Sequence, residues 1–279
     1  IKNDWDTPVS VEAVVNAVKE NSKIDAIAIQ ISESAGGLRH PVEEIAKAVK
    51  AINPSIMIIA DGITAVGVEP IDVANIDALL ASSQKALMVP PGMSILGLSN
   101  AAIEKIGAGK GYYLNLATEI KQQRNNTTAW TAATTLIIGL LEVLETIEAK
   151  GGLHRLYGET ACRAKAVKRA LEAIGLKIYP KVSAKSMATI IDDNANEIRN
   201  LLKEDYDVNV AGGQDHLKGK IFRISQMGLI PNHEIAWVVN AIELALSRLG
   251  RREYDGTANK VFNEAFFGTL DGFNRGIEN

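Results

Sequence analysis

Lys85 lies in ASSQKALMVPPG (81–92), directly after an apolar, strand-like run and just ahead of a Pro-Pro-Gly that stiffens the chain. An amine becomes a nucleophile where a low-dielectric or cationic setting lowers its pKa, and such a lysine condenses with an aldehyde to a Schiff base. Asp61 closes SIMIIAD (55–61). A carboxylate at the end of a buried strand calls for a cation beside it. A protonated pyridine nitrogen is one such cation. A lysine Schiff base with an aspartate facing a pyridinium nitrogen is the arrangement of pyridoxal phosphate chemistry. Arg223, in KGKIFRISQMG (218–228), adds a planar guanidinium suited to a bidentate grip on a carboxylate. Its alternating strand setting equally suits a structural ion pair.

These side chains need a scaffold, and the first half of the chain predicts one. DAIAIQI (25–31), SIMIIAD (55–61), IDALLAS (76–82) and MSILGLS (93–99) are short apolar runs, and PVEEIAKAVKAI (41–52) has helical spacing. Continuous apolar strands separated by helices predict an α/β fold with a mostly parallel sheet covered on both faces. Ligands in such sheets sit at the carboxyl ends of the strands. Ser34, Asp61 and SSQK all fall at or just past predicted strand ends.

From about 129 a helix is expected to 149, stopped by Gly151-Gly152, and its TLIIGLLEVLETI (135–147) reads as buried. A second helix covers 153–174. The remainder reads as α+β, with strands at 187–192, 207–212 and 220–225 and helices at 194–205 and 231–249. The expected division is a large-domain portion, 1–149, and a smaller C-terminal domain, 150–279. The latter ends in an aromatic tail (Phe262, Phe266, Phe267, Phe273) expected to pack on the body or on a partner subunit.

Composition excludes several classes. The 279 residues carry a net charge of −3, interspersed in sign, without the basic face that nucleic acid requires. No apolar run reaches bilayer length. One cysteine, Cys162, leaves no disulfide framework and no iron–sulfur ligation, and the four histidines lack zinc spacing. A cytoplasmic setting, with no nucleic acid, membrane or metal partner, is the default expectation.

ADGITAVG (60–67), followed 24 positions after Asp61 by Lys85 in SSQKALMVPPG, resembles the class V, fold type I aminotransferases. The branch it resembles is that of the alanine–glyoxylate and serine–glyoxylate/serine–pyruvate aminotransferases, from about residue 5 to residue 250. Cysteine desulfurases of the same fold class carry His before the lysine, whereas Gln84 stands here.

The resemblance implies a fold type I large domain with a smaller C-terminal domain, and pyridoxal 5'-phosphate as cofactor. It makes Lys85 the Schiff-base lysine and catalytic acid–base, Asp61 the partner of the pyridine nitrogen, and Ile63 the apolar residue against the ring. Ser34 falls near the phenolic oxygen, and Gln84 on the phosphate. Thr131 matches a phosphate-binding threonine from the neighbouring subunit, and Thr128 a position where relatives have tyrosine. Arg223 matches the clamp on the substrate carboxylate. Ser34 and Thr131 also have a reading as simple caps. Tyr112, Tyr113 and Asn115 are candidates to line the substrate pocket, with ordinary loop packing as the alternative.

The implied activity is ping-pong transamination between a small amino acid (serine or alanine) and a 2-oxo acid (glyoxylate or pyruvate), in a homodimer with shared active sites. The family pattern has a portion ahead of Ile1 that supplies a phosphate loop and a stacking aromatic. A longer parent protein is therefore expected, with weak cofactor binding by this chain alone. Two other readings remain: a non-catalytic partner subunit of a soluble hydrogenase-type redox complex, and a pyridoxal-phosphate-dependent lyase.

Overall fold

The computed structural model describes the backbone of residues 1–277, with side chains through residue 271. The first part runs α1 (Val11–Glu20), β1 (Ala26–Gln30), β2 (Ser32–Glu33), β3 (Leu38–Arg39), α2 (Val42–Ile52), β4 (Met57–Asp61), β5 (Ala78–Ser82) and β6 (Ser94–Leu98). It continues with α3 (Asn100–Ile106), α4 (Leu116–Gln123), α5 (Thr134–Ala149) and α6 (Gly152–Ala173). Then come β7 (Lys177–Ile178), β8 (Met187–Ile191), α7 (Ala195–Tyr206), β9 (Ala211–Gly212), β10 (Ile221–Ser225), α8 (Asn232–Arg248) and α9 (Thr257–Ile277).

The first sheet has the order β1-β4-β5-β6. β1, β4 and β5 are parallel and β6 is antiparallel to β5. The α/β class expected from the apolar runs is observed. α1 starts where Ser10 accepts a hydrogen bond from the Ala13 N–H, and its Val14 and Val18 face the core. Val42, Ile45, Ala46 and Val49 make one fully buried stripe of α2. They pack with Ile31, Ile58 and Ala60, each large side chain contributing roughly 1.5–3 kcal/mol. The opposite sheet face is more open: Ala28 and Gln30 are exposed, and Ile59, Asp61 and Leu80 are half-buried.

Asp77, one residue ahead of β5, ties this sheet together. Its Oδ2 accepts the Ile58 N–H at 2.8 Å and pairs with Lys50 of α2 at 2.6 Å. Its Oδ1 accepts from the Ser99 hydroxyl at 3.1 Å, and its own N–H donates to the Ile58 carbonyl at 2.9 Å. Burial alone would push this carboxyl up. Lys50, the Ile58 N–H and Ser99 outweigh that and hold it below the usual carboxylate range.

The second sheet is antiparallel, order β7-β8-β10-β9. Its core gathers Ala166, Val167 and Leu171 of α6, Ile190, Phe222, Ile198 and Leu202 of α7, and Val239 and Ile242 of α8. Phe262 and Phe266 of α9 are buried in it and stacked at 5.7 Å. That places this part of the aromatic tail on the body. Phe267 is half exposed, and the Phe273 side chain lies outside the described residues.

The expected course of α5 and the expected strand over 207–212 are corrected. α5 begins at Thr134 rather than near 129, and it is not a buried helix. Ile137, Ile138, Leu141 and Leu144 are exposed and Ile147 alone of its residues is buried. It is apolar on more sides than its described neighbours cover. The strand expected over 207–212 shrinks to Ala211–Gly212. Asp207 takes φ +55° and the Val208 N–H still closes α7 on the Leu202 carbonyl, so the ladder starts late. Asn115 is the N-cap of α4, and Tyr112 and Tyr113 pack on Trp130 in an exposed loop, which favours the loop-packing reading of all three.

Asp77→Asn is expected to cost about 2–3 kcal/mol, since it leaves Lys50 without its partner. The sign follows from the lowered folded pKa: the ionised carboxylate stabilises the fold above about pH 4 and that contribution is lost as pH falls through the folded value. Urea titrations from pH 3 to 7 should therefore show a flatter acid limb in the variant than in the parent. An unchanged limb would contradict this account.

Candidate active site

Asp61 and the turn carrying Lys85 follow from neighbouring parallel strands. Asp61 is the last residue of β4, paired with Leu80 of β5. Its Oδ1 accepts the Ile63 N–H at 2.9 Å, which fixes the carboxylate over the first residues of the next loop. Its carbonyl accepts from Ile31 N–H at 2.8 Å, and Gly62 N–H donates to the Leu80 carbonyl at 2.9 Å. Ile63 itself is half-buried.

Beyond β5 the chain closes an eleven-residue loop, 83–93, around Lys85. The Ser83 hydroxyl donates to the Pro90 carbonyl at 2.8 Å. Ser83 N–H donates to the Met93 carbonyl and Val89 N–H to the Ser83 carbonyl. Met88 N–H donates to the Lys85 carbonyl at 2.9 Å, so 85–88 is a tight turn. Ala86, Leu87 and Val89 are buried anchors and Lys85 is half-buried among them. The sequence frame around Lys85 is thus physical: Ser83 and the Pro-Pro segment hold the loop shut. Sequence reasoning overlooked Ser83, whose Ser-Gln-Lys context was its signal.

Ser34 sits in the β2–β3 hairpin. Glu33 shapes that hairpin by accepting the Ala35 and Gly36 N–H groups at 2.8 and 2.9 Å. The Thr64 hydroxyl, from the loop after Asp61, donates to the Ser32 carbonyl at 2.7 Å. Arg223 reaches the same hairpin from β10. Its Nη1 donates to the Ser34 carbonyl at 2.5 Å, while Nε and Nη2 donate to the Gly212 carbonyl at 3.0 and 2.7 Å. Burial lowers the Arg223 pKa, the Glu33 carboxylate opposes that, and Arg199 adds to it. The guanidinium has five N–H groups. Three are used, so one on each Nη is left for a ligand. No carboxylate pairs with Arg223 among the described residues, which sets aside the structural ion-pair reading.

The two sheets dock around this hairpin. Ser32 and Ser186 share a hydroxyl contact at 2.9 Å, and Ala184 N–H donates to the Gly37 carbonyl at 2.8 Å. Trp5 packs edge-on to His216 at 4.4 Å, and its carbonyl crowds Gly36. Neither neighbour of the hairpin was identifiable from spacing.

The structure therefore places Asp61 at the end of β4 with Ile63 just beyond it, Lys85 in the loop after the neighbouring β5, and Ser34 in the hairpin after β1, where Arg223 from the middle of β10 reaches its carbonyl. Gln84 is exposed. Thr128 and Thr131 lie between α4 and α5, Thr128 half-buried and Thr131 exposed, and the Thr128 hydroxyl donates to the Trp130 carbonyl. No hydrogen bond joins either threonine to the Lys85 loop among the described residues. The donor set suits the ring end of pyridoxal phosphate: Asp61 offers a carboxyl group with no ion-pair partner among the described residues, and Lys85 supplies a primary amine from the loop after the next strand.

The sequence profile of the aminotransferase class-V family matches residues 2–225. An uncharacterized aminotransferase of Helicobacter pylori is 48% identical over 266 residues, covering 95% of this chain and 72% of that protein. The soluble hydrogenase small subunit of a Synechococcus strain is 32% identical over 261 residues, covering 90% of this chain and 67% of that protein. Among solved structures, an aspartate aminotransferase of subgroup IV from Thermus thermophilus matches with a TM-score of 0.80 at 27% identity, covering 88% of this chain and 70% of that one.

Gly37 has φ +72°, and a Cβ there would lie 2.2 Å from the Thr189 hydroxyl. Gly37→Ala is expected to cost about 2–4 kcal/mol from overpacking and backbone strain together. A urea midpoint equal to the parent's would show that the hairpin is not held against β8 as described.

Proposed function

The chain belongs to the class-V aminotransferases, and on that premise we propose that it transfers the amino group of a small amino acid to a 2-oxo acid. Serine or alanine is the proposed donor and glyoxylate or pyruvate the proposed acceptor, in a protein that works as a homodimer. The observation that carries this reading is the placement of Asp61 and the Lys85 turn at the ends of adjacent parallel strands, with Arg223 bonded to the neighbouring Ser34 hairpin. When bound, pyridoxal phosphate supplies an electron-accepting ring that stabilises negative charge at the substrate Cα.

This chain's residues do the rest. Lys85 holds the cofactor through its amine and, once displaced by substrate, carries a proton to and from Cα. Asp61 keeps the proton on the ring nitrogen, with its orientation set by the Ile63 N–H. Ile63 would pack on the ring and Ser34 would lie by its phenolic oxygen. The unused Nη protons of Arg223 grip the substrate α-carboxylate, and the two carbonyls behind it hold the guanidinium plane still. Gln84, Thr128 and Thr131 would meet the phosphate, Thr131 from the partner subunit; the exposure of Gln84 and Thr131 suits contact across an interface.

A second reading has one observation in its favour, the similarity to a protein named as a hydrogenase subunit. It leaves Lys85, Asp61 and Arg223 without a task, and a single buried cysteine brings no cluster ligation. A lyase reaction of the same cofactor shares every group named here and separates from transamination by its products.

Borohydride reduction after incubation with pyridoxal phosphate should leave a mass increment on the Lys85 peptide, absent in Lys85→Ala. Amino-acid and oxo-acid panels, with aspartate included, should give parallel double-reciprocal lines. Arg223→Gln should raise KM about 10–100-fold for amino acids, the worth of a charge-assisted pair. No labelling of Lys85 would sink the enzyme reading, and ammonia release without a transaminated product would shift it to the lyase.

A further inference from the structure

Met88 has φ +54°, a left-handed backbone that a side chain with a β-carbon rarely adopts. It is also 41% exposed, so core burial does not account for it. Such an outlier persists where its surroundings over-determine it. Here they do. The Met88 N–H closes the Lys85 turn. The Met88 sulfur accepts the Leu229 N–H at 3.1 Å. Gly228, at φ +81°, has no room for a side chain: a Cβ would lie 2.8 Å from that sulfur and 2.9 Å from the Met88 Cγ. On the other flank Gly67, at φ +79°, comes so close to Ala86 that a Cβ would lie 3.0 Å from the Ala86 Cβ.

The clamp on Met88 is itself held. Arg163, on α6, is 2% exposed and makes no ion pair among the described residues. Its Nη1 donates to the carbonyls of Gln226 and Gly228 at 2.9 and 3.3 Å, and its Nη2 to that of Ile230 at 3.2 Å. One guanidinium thus fixes three carbonyls of the β10–α8 connection. The neighbouring α6 residues Cys162, Ala166 and Val167 belong to the core of the second sheet. The burial cost of this cation, which lowers its pKa, is borne where a short apolar side chain would pack at no such cost.

We propose that Met88 and Arg163 are positioning residues for Lys85: Arg163 fixes the 226–230 connection, whose Gly228 and Leu229 clamp Met88, and Met88 sets the 85–88 turn and so the direction from which the lysine amine meets its cofactor. This rests on the proposed role of Lys85. It goes beyond that role by assigning the aim of the lysine to a helix of the second sheet's core.

The test loads the full chain with pyridoxal phosphate and compares it with Met88→Gly, Met88→Leu, Met88→Gln and Arg163→Lys. Glycine accepts the backbone angle but makes no contact with Leu229 or Gly228. Leucine keeps bulk and loses the acceptor. Glutamine offers an amide oxygen in place of the sulfur. Two readouts follow: the pH midpoint of the bound cofactor's near-visible absorbance, and the half-time of borohydride fixation on Lys85. The Gly and Leu variants should melt within a few degrees of the parent yet shift the midpoint by about half a unit or more and change the half-time about threefold or more. The Gln variant should return towards the parent. Arg163→Lys should move the same two readouts in the same direction as Met88→Leu. Met88 variants that titrate and react like the parent would overturn the positioning role while leaving that of Lys85 intact. A parent unlabelled at Lys85 would overturn both.

Discussion

A buried carboxylate, Asp77, sets the frame on which the candidate site depends. It adds a rung between the start of β5 and β4, taking the Ile58 N–H on its side chain and giving its own N–H to the Ile58 carbonyl. Lys50 from α2 and Ser99 from the start of α3 converge on the same side chain. In a parallel pair no tight turn fixes the register, because the strands are joined by a long crossover. Asp77 supplies the missing constraint. The register it helps to hold, Asp61 opposite Leu80, decides how far apart the Asp61 carboxylate and the Lys85 turn begin.

From that frame the chemistry moves onto loops, and each is held by something other than its own strand. The loop after Asp61 is tied to the Ser34 hairpin through Thr64, and that hairpin to β10 through Arg223. The Lys85 loop is closed internally by Ser83 and Pro90. Loops alone sample many conformations. Cross-links of about 1 kcal/mol each, placed at several points on one loop, suffice to select a single one because the entropic cost is met once.

The groups facing the site were easier to read from the chain than those supporting them. Asp61 and Lys85 stood out because a charged residue ending an apolar run contradicts its surroundings, and only a ligand or a partner resolves that. Asp77 sits inside IDALLAS, where it reads as a strand residue, since its partners Lys50 and Ser99 come from distant segments. Arg163 lies on α6 among lysines and arginines and looks like one more solvated charge until the β10–α8 connection folds over it. Gly37 and Gly228 are pinned by Thr189 and Met88, so their need for glycine exists only in three dimensions. α5 shows the converse. Its composition argues for burial, yet Ile138 is 62% exposed, because hydrophobicity marks what a helix seeks and not what the described residues provide.

The way Arg223 is held bears on what it can bind. Its three engaged N–H groups point at backbone carbonyls of Ser34 and Gly212, which stabilise the guanidinium by their dipoles without neutralising it. The nearest acidic influence, Glu33, spends both carboxylate oxygens on the N–H groups of Ala35 and Gly36. Arg199 lies close behind Gly212 and adds positive potential. Had a carboxylate gripped Arg223, a substrate would have to displace it and leave a buried anion unpaired, at a cost of several kcal/mol. Carbonyls impose no such exchange. The arginine is tethered on two sides, partly desolvated and not neutralised by a carboxylate among the described residues, a condition under which a bidentate carboxylate contact is worth most.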